Sequence, residues 1–151
     1  MAPATWPAAY AAILSALRAA LDVPVLDADD DLGAGGDLRA AVVLGTDTGD
    51  EGRCGVFAQE YHDLGATATR DDIGTIDAQV FAQSGGDDLA PLRAAAFDAL
   101  ADVESALRSG ITLGVASALR IELSGGDVFQ GRTEDGTFVE VRFQLTYTAL
   151  I

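Results

Sequence analysis

The chain contains no lysine, one cysteine and one histidine, and each scarcity excludes a class of protein. All 9 basic residues are arginines, against 24 acidic residues, so the formal net charge of the 151 residues is -15. Nucleic-acid binding through phosphate contacts needs clustered basic side chains, whereas these arginines are spread singly along the chain. We therefore expect no specific nucleic-acid binding and, for the same electrostatic reason, no attraction to anionic membranes.

Cysteine, histidine and long apolar runs are equally scarce. Cys54 alone cannot close an intramolecular disulfide, and His62 alone cannot complete a zinc-binding cluster. No run reaches the roughly 18 apolar residues of a membrane span, and the opening residues lack the positive start of a signal peptide. We expect a soluble acidic protein made in a cytoplasm, with no membrane, no metal and no cofactor.

The length and composition predict a single domain over residues 1–151, because 49 % hydrophobic residues in 15.5 kDa suffice for one core. A helix is expected from Trp6-Pro7 to Asp22, since its apolar residues recur every three or four positions. A second helix is expected from Asp88 to Arg108, with Gly110 beyond its end. Strands are expected at 40–45, 54–61 and 73–83, each bounded by glycine and acidic residues.

The C-terminal third predicts a β-hairpin. Alternating apolar residues flank Asp135-Gly136, a strong two-residue turn signal. An unbroken ladder from that turn would set Leu123 opposite Thr148, on the wrong face, so one extra residue must be absorbed. Gly125-Gly126 is the natural place for a β-bulge, and we expect the tip (Gln130 to Thr137) to lean away from the core.

The resulting element order is α-β-β-β-α-β-β. Strands that cluster and are joined by hairpins favour an α+β domain, in which two helices cover one face of a mainly antiparallel sheet.

A catalytic centre is not evident in the sequence. Cys54 and His62 would form a thiol–imidazole pair only if the fold brought them together, so no catalytic residue is assigned. The run from Asp27 to Gly33 resembles the start of a calcium loop, but Leu32 stands at the glycine position and Leu38 at that of the bidentate glutamate. We interpret it as a solvated acidic loop, and Asp71-Asp72 as a turn.

The layout resembles a known family of phage proteins. An amphipathic N-terminal helix, a β-meander, a second helix opening at Asp88-Leu89-Ala90-Pro91-Leu92 and a closing strand FVEVRFQLTYTAL (138–150) follow in this order. The chain is similar in this respect to the tail terminator proteins of long-tailed, siphovirus-type phages, which are related to the lambdoid minor tail protein U. The resemblance covers nearly the whole chain and lies in order, length and the last strand.

The resemblance implies a structural virion protein without catalytic activity. It would form a homo-oligomeric ring, of six subunits, at the head-proximal end of the tail after assembly in the host cytoplasm. The ring would cap the tail tube protein, stop tube growth and offer a head–tail joining surface to a connector protein, while DNA passes through without specific binding. Six copies would carry a formal charge of -90, six times the -15 of one chain, and a wall of that sign repels DNA phosphates.

Two sets of residues are candidates for this role. The acidic residues predicted in loops are candidates for the lumen: Asp27, Asp29, Asp30, Asp31, Asp71 and Asp72. The hairpin tip is a candidate for contact with a neighbouring subunit: Phe129, Gln130, Arg132, Glu134 and Asp135.

Four alternatives remain beside the terminator. Within the assembly class, the chain could be another head–tail connector or a tail tube protein. A monomeric binding module would present its acidic loops to a basic partner, and an enzyme would depend on Cys54 and His62.

Overall fold

The structure, a computed structural model, describes residues 5–28, 39–45, 52–64, 67–109, 119–134 and 136–150. Within these ranges it contains two helices and six strands. In chain order they are α1 (Trp6–Ala20), β1 (Val25–Asp27), β2 (Arg39–Leu44), β3 (Gly55–Leu64), β4 (Thr67–Ser84), α2 (Ala90–Arg108), β5 (Leu119–Thr133) and β6 (Gly136–Leu150).

The sheet is built around the 18-residue strand β4. Along one side β4 pairs with β6; along the other it pairs first with β3, as far as Ile76, and then with β2, from Ala78 onward. Strand β5 pairs with the far side of β6, and β1 pairs with β2. Among the strands of the described ranges, only β1 and β2 pair in parallel.

The α+β class and the mainly antiparallel sheet are therefore confirmed, and the predicted order needs one addition. Strand β1, of 3 residues, precedes the strand predicted at 40–45. Helix α1 begins as predicted at Trp6, and α2 begins at Ala90, two residues after the predicted start; each has a proline in its first turn. The Asp88 carboxylate accepts a hydrogen bond of 3.1 Å from the Ala90 N–H, one of the orphan donors at the start of α2.

One face of the sheet is apolar, because the buried residues of β4 and β6 alternate along each strand. Val80 lies opposite Val141, and Ile76 lies opposite Leu145. We call this the core face and the opposite one the outer face. The core cluster joins these residues to buried residues of both helices, among them Ile13, Leu14, Leu17, Leu92, Ala96, Ala99 and Val103.

The C-terminal hairpin contains the predicted bulge. The β5–β6 register shifts between Ser124 and Gly126, so that Leu123 lies opposite Leu145 on the core face. A Cβ on Gly126 would lie 1.7 Å from the Arg142 carbonyl oxygen, which explains the glycine there. The turn predicted at Asp135-Gly136 is wrong by one residue, because Gly136 already belongs to β6 and lies opposite Thr133.

The predicted lean of the hairpin tip is also wrong. The Arg132 Nη2 donates a hydrogen bond of 3.1 Å to the Asp87 carbonyl, and the Thr137 hydroxyl donates one of 3.2 Å to the Gly86 carbonyl. Thr137 is buried. The tip is therefore held against the segment that leads into α2, since these carbonyls offer acceptors that the strand ends can reach.

Candidate assembly surface

Large exposed apolar side chains concentrate on two strands at opposite sides of the sheet. Among the described residues they are Val56, Phe57, Tyr61, Phe97, Val128 and Phe129. Three lie on β3, two on β5 and one on α2. Strand β3 pairs only with β4, and β5 pairs only with β6, within the described ranges. Both strands therefore have an outer edge of the kind that adds another strand.

The β3 edge presents a side chain to each face. Val56 lies opposite Thr75 and faces outward, whereas Phe57 lies opposite Gly74 and is on the core-face side. Phe57 is 59 % exposed even so. The Val56 N–H donates a hydrogen bond of 3.1 Å to the Thr75 hydroxyl, which fixes this part of β3 on β4.

The β5 edge has the same arrangement. Val128 lies opposite Val141 on the core face and is 52 % exposed, while Phe129 lies opposite Glu140 on the outer face. The Arg142 guanidinium lies over the Phe129 ring, 4.8 Å from its centroid, and orients that ring. Gln130 accepts a hydrogen bond of 3.1 Å from Arg93 of α2.

These contacts place the predicted tip residues. Phe129 is exposed and packed on Arg142, and Gln130 and Arg132 are bound to α2 and the segment before it. Glu134 is exposed, and Asp135 lies outside the described residues. Val128 is not among the candidates, and the sequence held no specific signal for it: the dipeptide Val-Phe occurs at 56–57, 80–81 and 128–129, and Val80 is a core residue.

The acidic candidates are scattered. Asp27 ends β1 and is exposed, and its carboxylate accepts a hydrogen bond from the Tyr10 hydroxyl. That hydroxyl also contacts the Leu44 carbonyl at 2.9 Å. Burial, and then the Asp27 carboxylate, raise the pKa of Tyr10 well above its ordinary value of 10.0. Asp29, Asp30 and Asp31 lie outside the described residues.

Asp71 and Asp72 do not form a turn, and this prediction is wrong. Both lie within β4, where Asp71 is opposite Glu60 and Asp72 is opposite Gln59. Asp72 is 2 % exposed, so in this subunit it is a buried residue and not a loop carboxylate facing a lumen. Asp72 is stabilised in the interior by an ion pair with Arg70, whose Nε lies 2.7 Å from the Asp72 Oδ1. Its second oxygen accepts a hydrogen bond of 3.0 Å from the Thr5 N–H, just before α1.

Cys54 and His62 do not come together. Cys54 directly precedes β3, and His62 lies within it, opposite Thr69. Eight residues of extended strand separate their backbones by about 26 Å, at about 3.3 Å per residue. A thiol–imidazole pair within one subunit is therefore excluded.

Neither a metal site nor a membrane-spanning helix is found in the part of the chain that the structure describes. These residues hold no group of three or more histidine, cysteine, aspartate or glutamate side chains suited to a metal ion. None of the described helices is long and apolar enough to cross a bilayer.

Comparison with known proteins leaves the family open. No protein-family model matches this chain, and neither does any curated protein.

Proposed function

We propose that this protein is a tail terminator of a long-tailed phage: a ring, of six subunits, that caps the tail tube, stops its polymerisation and provides the head–tail joining surface. The observation that carries the proposal is the pair of apolar edges on β3 and β5. Closed rings of identical subunits use head-to-tail interfaces, in which two different surfaces of one subunit meet. A subunit with one apolar edge on each side of its sheet has the two surfaces that such a ring needs.

The overall architecture supports the same role. We propose that both helices cover the core face, as the element order predicts, and the shared core cluster of α1, α2 and the sheet supports this. The sheet edges then remain available for neighbouring subunits. The charge of -15 per chain suits a conduit that DNA crosses without binding.

The proposed partners follow from the role: other copies of the chain, a tail tube protein and a head–tail connector protein. The direct test is tube capping. Tail tube protein from the same source genome is polymerised with and without this chain, and tube lengths are measured by negative-stain electron microscopy. We expect shorter tubes with a ring at one end. Tubes of unchanged length and without rings would contradict the proposal, and binding at acidic loops alone would then be the better account.

A further inference from the structure

The two exposed Val-Phe pairs are suited to each other. We propose that β5 of one subunit pairs antiparallel with β3 of the next copy, with Phe129 opposite Val56 and Val128 opposite Phe57. The pairing runs from Gly55 opposite Gln130 to Gln59 opposite Gly126 and ends at the bulge. It rests on the proposed ring and specifies how the ring is built.

The direction of pairing follows from the fold. Strand β3 is antiparallel to β4, β4 to β6 and β6 to β5, so β3 and β5 run in opposite directions. The proposed register staggers neighbouring copies along the strands, because Phe57 is level with Ile121 of its own sheet and Val128 lies further along β5. Closing a sheet with such a stagger tilts its strands by about 35–45° to the ring axis, and the rotation preserves the order of the strands and the face of every residue. A ring of this kind therefore joins β5 to the neighbour's β3 as antiparallel strands with matching faces.

The side chains match on both faces in this register. Val56 and Phe129 both lie on the outer face, opposite Thr75 and Glu140 of their own sheets. Phe57 and Val128 both lie on the core-face side. Each face thus gains one aromatic–β-branched cross-strand pair, among the more stabilising combinations in antiparallel sheets.

The main-chain hydrogen-bonding groups match as well, starting with β3. Main-chain groups of successive strand residues point to opposite sides. The Asp77 N–H donates to the Cys54 carbonyl at 2.8 Å, so Cys54, Val56 and Ala58 point toward β4. Phe57 therefore points its N–H and C=O to the outer edge.

Strand β5 follows from the same bonds. The Asp77 carbonyl accepts a hydrogen bond from the Gly45 N–H, so the main-chain groups of Asp77 point toward the β2 side. Those of the next residue, Ala78, therefore point to the opposite side, toward β6. Phe143 is the β6 partner of Ala78, so its main-chain groups point toward β4. The main-chain groups of Arg142 and Glu140, which alternate with it, point toward β5. On β5, the main-chain groups of their partners Asp127 and Phe129 point inward, toward β6. Val128 lies between them and points to the outer edge, ready to bond Phe57 of the neighbour.

Neighbouring registers lose these matches. A shift of two residues in one direction places Val56 opposite Asp127 and Phe57 opposite Gly126, so neither Val56 nor Phe57 has an apolar partner. The opposite shift places Glu60 opposite Asp127, and like charges directly across a ladder are destabilising.

A two-fold dimer leaves one edge uncovered. Pairing β3 with another β3 around Phe57 leaves Val128 and Phe129 exposed. Pairing β5 with another β5 around Val128 sets Phe129 opposite Asp127 and leaves Val56 and Phe57 exposed. Only the β5–β3 pairing covers the Val-Phe residues of both edges in one contact. The proposal thus commits to a second copy of this chain in a head-to-tail contact.

A charge exchange tests the interface. Phe57→Glu and Val128→Lys each bury an unpaired charge in the proposed contact, and we expect each to convert the oligomer to a monomer in light scattering. The double variant Phe57→Glu/Val128→Lys places the two charges opposite each other and should regain the oligomer. The matched control is Phe97→Glu on α2, at a phenylalanine that is 45 % exposed and off both edges. It should leave the oligomer intact.

Disulfide trapping tests the register. In a Cys54→Ser background, Ala58→Cys and Asp127→Cys are made as separate chains and mixed under oxidising conditions. The main-chain groups of both residues point into their own sheets, so across the interface the two residues form a non-hydrogen-bonded pair. Its Cα separation of about 4.5 Å is within disulfide range. We expect a covalent heterodimer, which Ala58→Cys mixed with Asp102→Cys on α2 should not give.

The outcomes separate the interface from the function. Rings without the Ala58–Asp127 cross-link, or with an Ala58–Ala58 cross-link, overturn the pairing and leave the terminator role intact. Cross-linked rings that do not shorten tail tubes confirm the pairing and overturn the role. A chain that stays monomeric at every salt and protein concentration, with no cross-link even beside tail tubes, overturns both.

Discussion

Arg70 and Asp72, two residues apart on β4, form an ion pair in the protein interior. The Arg70 Nε lies 2.7 Å from Asp72 Oδ1, and the two side chains are 7 % and 3 % exposed. The hydrogen bond between them runs from Arg70 Nη2 to Asp72 Oδ2 at 3.4 Å. That same oxygen accepts the Thr5 N–H, so the pair ties the start of α1 to the middle of the sheet.

Loss of Asp72 should be strongly destabilising. Asp72→Ala leaves a buried guanidinium without its counter-charge and frees the Thr5 N–H, and we expect a loss of about 3–5 kcal/mol in the free energy of unfolding, measured by urea denaturation. Asp71→Ala, at the less buried neighbouring position, is the control and should cost much less. Equal losses for the two variants would mean that the ion pair does not stabilise the fold.

The two glycines of the bulge should respond differently to alanine. A Cβ on Gly126 would collide with the Arg142 carbonyl, whereas one on Gly125 meets no atom within 4 Å. We expect Gly126→Ala to cost about 3 kcal/mol, at the upper end of overpacking effects, and Gly125→Ala to be close to neutral. Thermal unfolding of both variants checks this. A larger loss for Gly125→Ala would place the bulge elsewhere.

Stability should fall at alkaline pH because of Tyr10. Burial and the bond to Asp27 raise the pKa of Tyr10 above its ordinary 10.0, so the folded state holds this proton more tightly than the unfolded chain does. The resulting stabilisation is complete below pH 10 and is lost as the pH rises through the folded-state pKa. Tyr147, whose pKa is raised by burial and by Asp72, contributes in the same direction.

Tyr10→Phe isolates the first of these groups. At pH 7 the variant should be less stable by about 1 kcal/mol per lost hydrogen bond. Above pH 10 the wild type loses stability faster, so the difference between the two proteins should shrink. A constant difference from pH 7 to pH 11, in urea denaturation, would show that Tyr10 titrates alike in both states.

Assembly should strengthen with salt. Each chain carries a net charge of -15, so subunits repel one another, while the proposed contact is apolar and made of main-chain bonds. Screening at about 500 mM salt, where the Debye length is shorter than at about 50 mM, reduces only the repulsion. Sedimentation velocity should therefore show more oligomer at high salt. Dissociation by salt would instead indicate a contact held by ion pairs.

The sequence predicted those elements whose pattern is local. Alternation along 139–149, the three- and four-residue steps of both helices and the face conflict at Leu123 identified β6, the helices and the bulge. The sequence does not predict β1 because three residues are too few to show a periodic pattern. The strand is defined instead by its pairing with β2, which is not visible in the local sequence. The sequence predicts Asp72 in a turn because nothing in the local pattern shows that Arg70 and Asp72 form a buried ion pair.

The candidate surface could be predicted only in part. Phe129 was named, but Val56, Phe57 and Val128 have the composition of ordinary half-buried strand residues. Their exposure follows from β3 and β5 lying at opposite edges, which depends on the long-range pairing of both strands with β4 and β6.

The mass of the purified protein in solution tests the central claim most directly. We expect size-exclusion chromatography with light scattering, at high salt, to give a species of about six times 15.5 kDa, near 93 kDa, and negative-stain images of that peak to show rings with a central hole. A compact two-fold dimer, or a monomer that tail tubes do not recruit into rings, would contradict the head-to-tail ring.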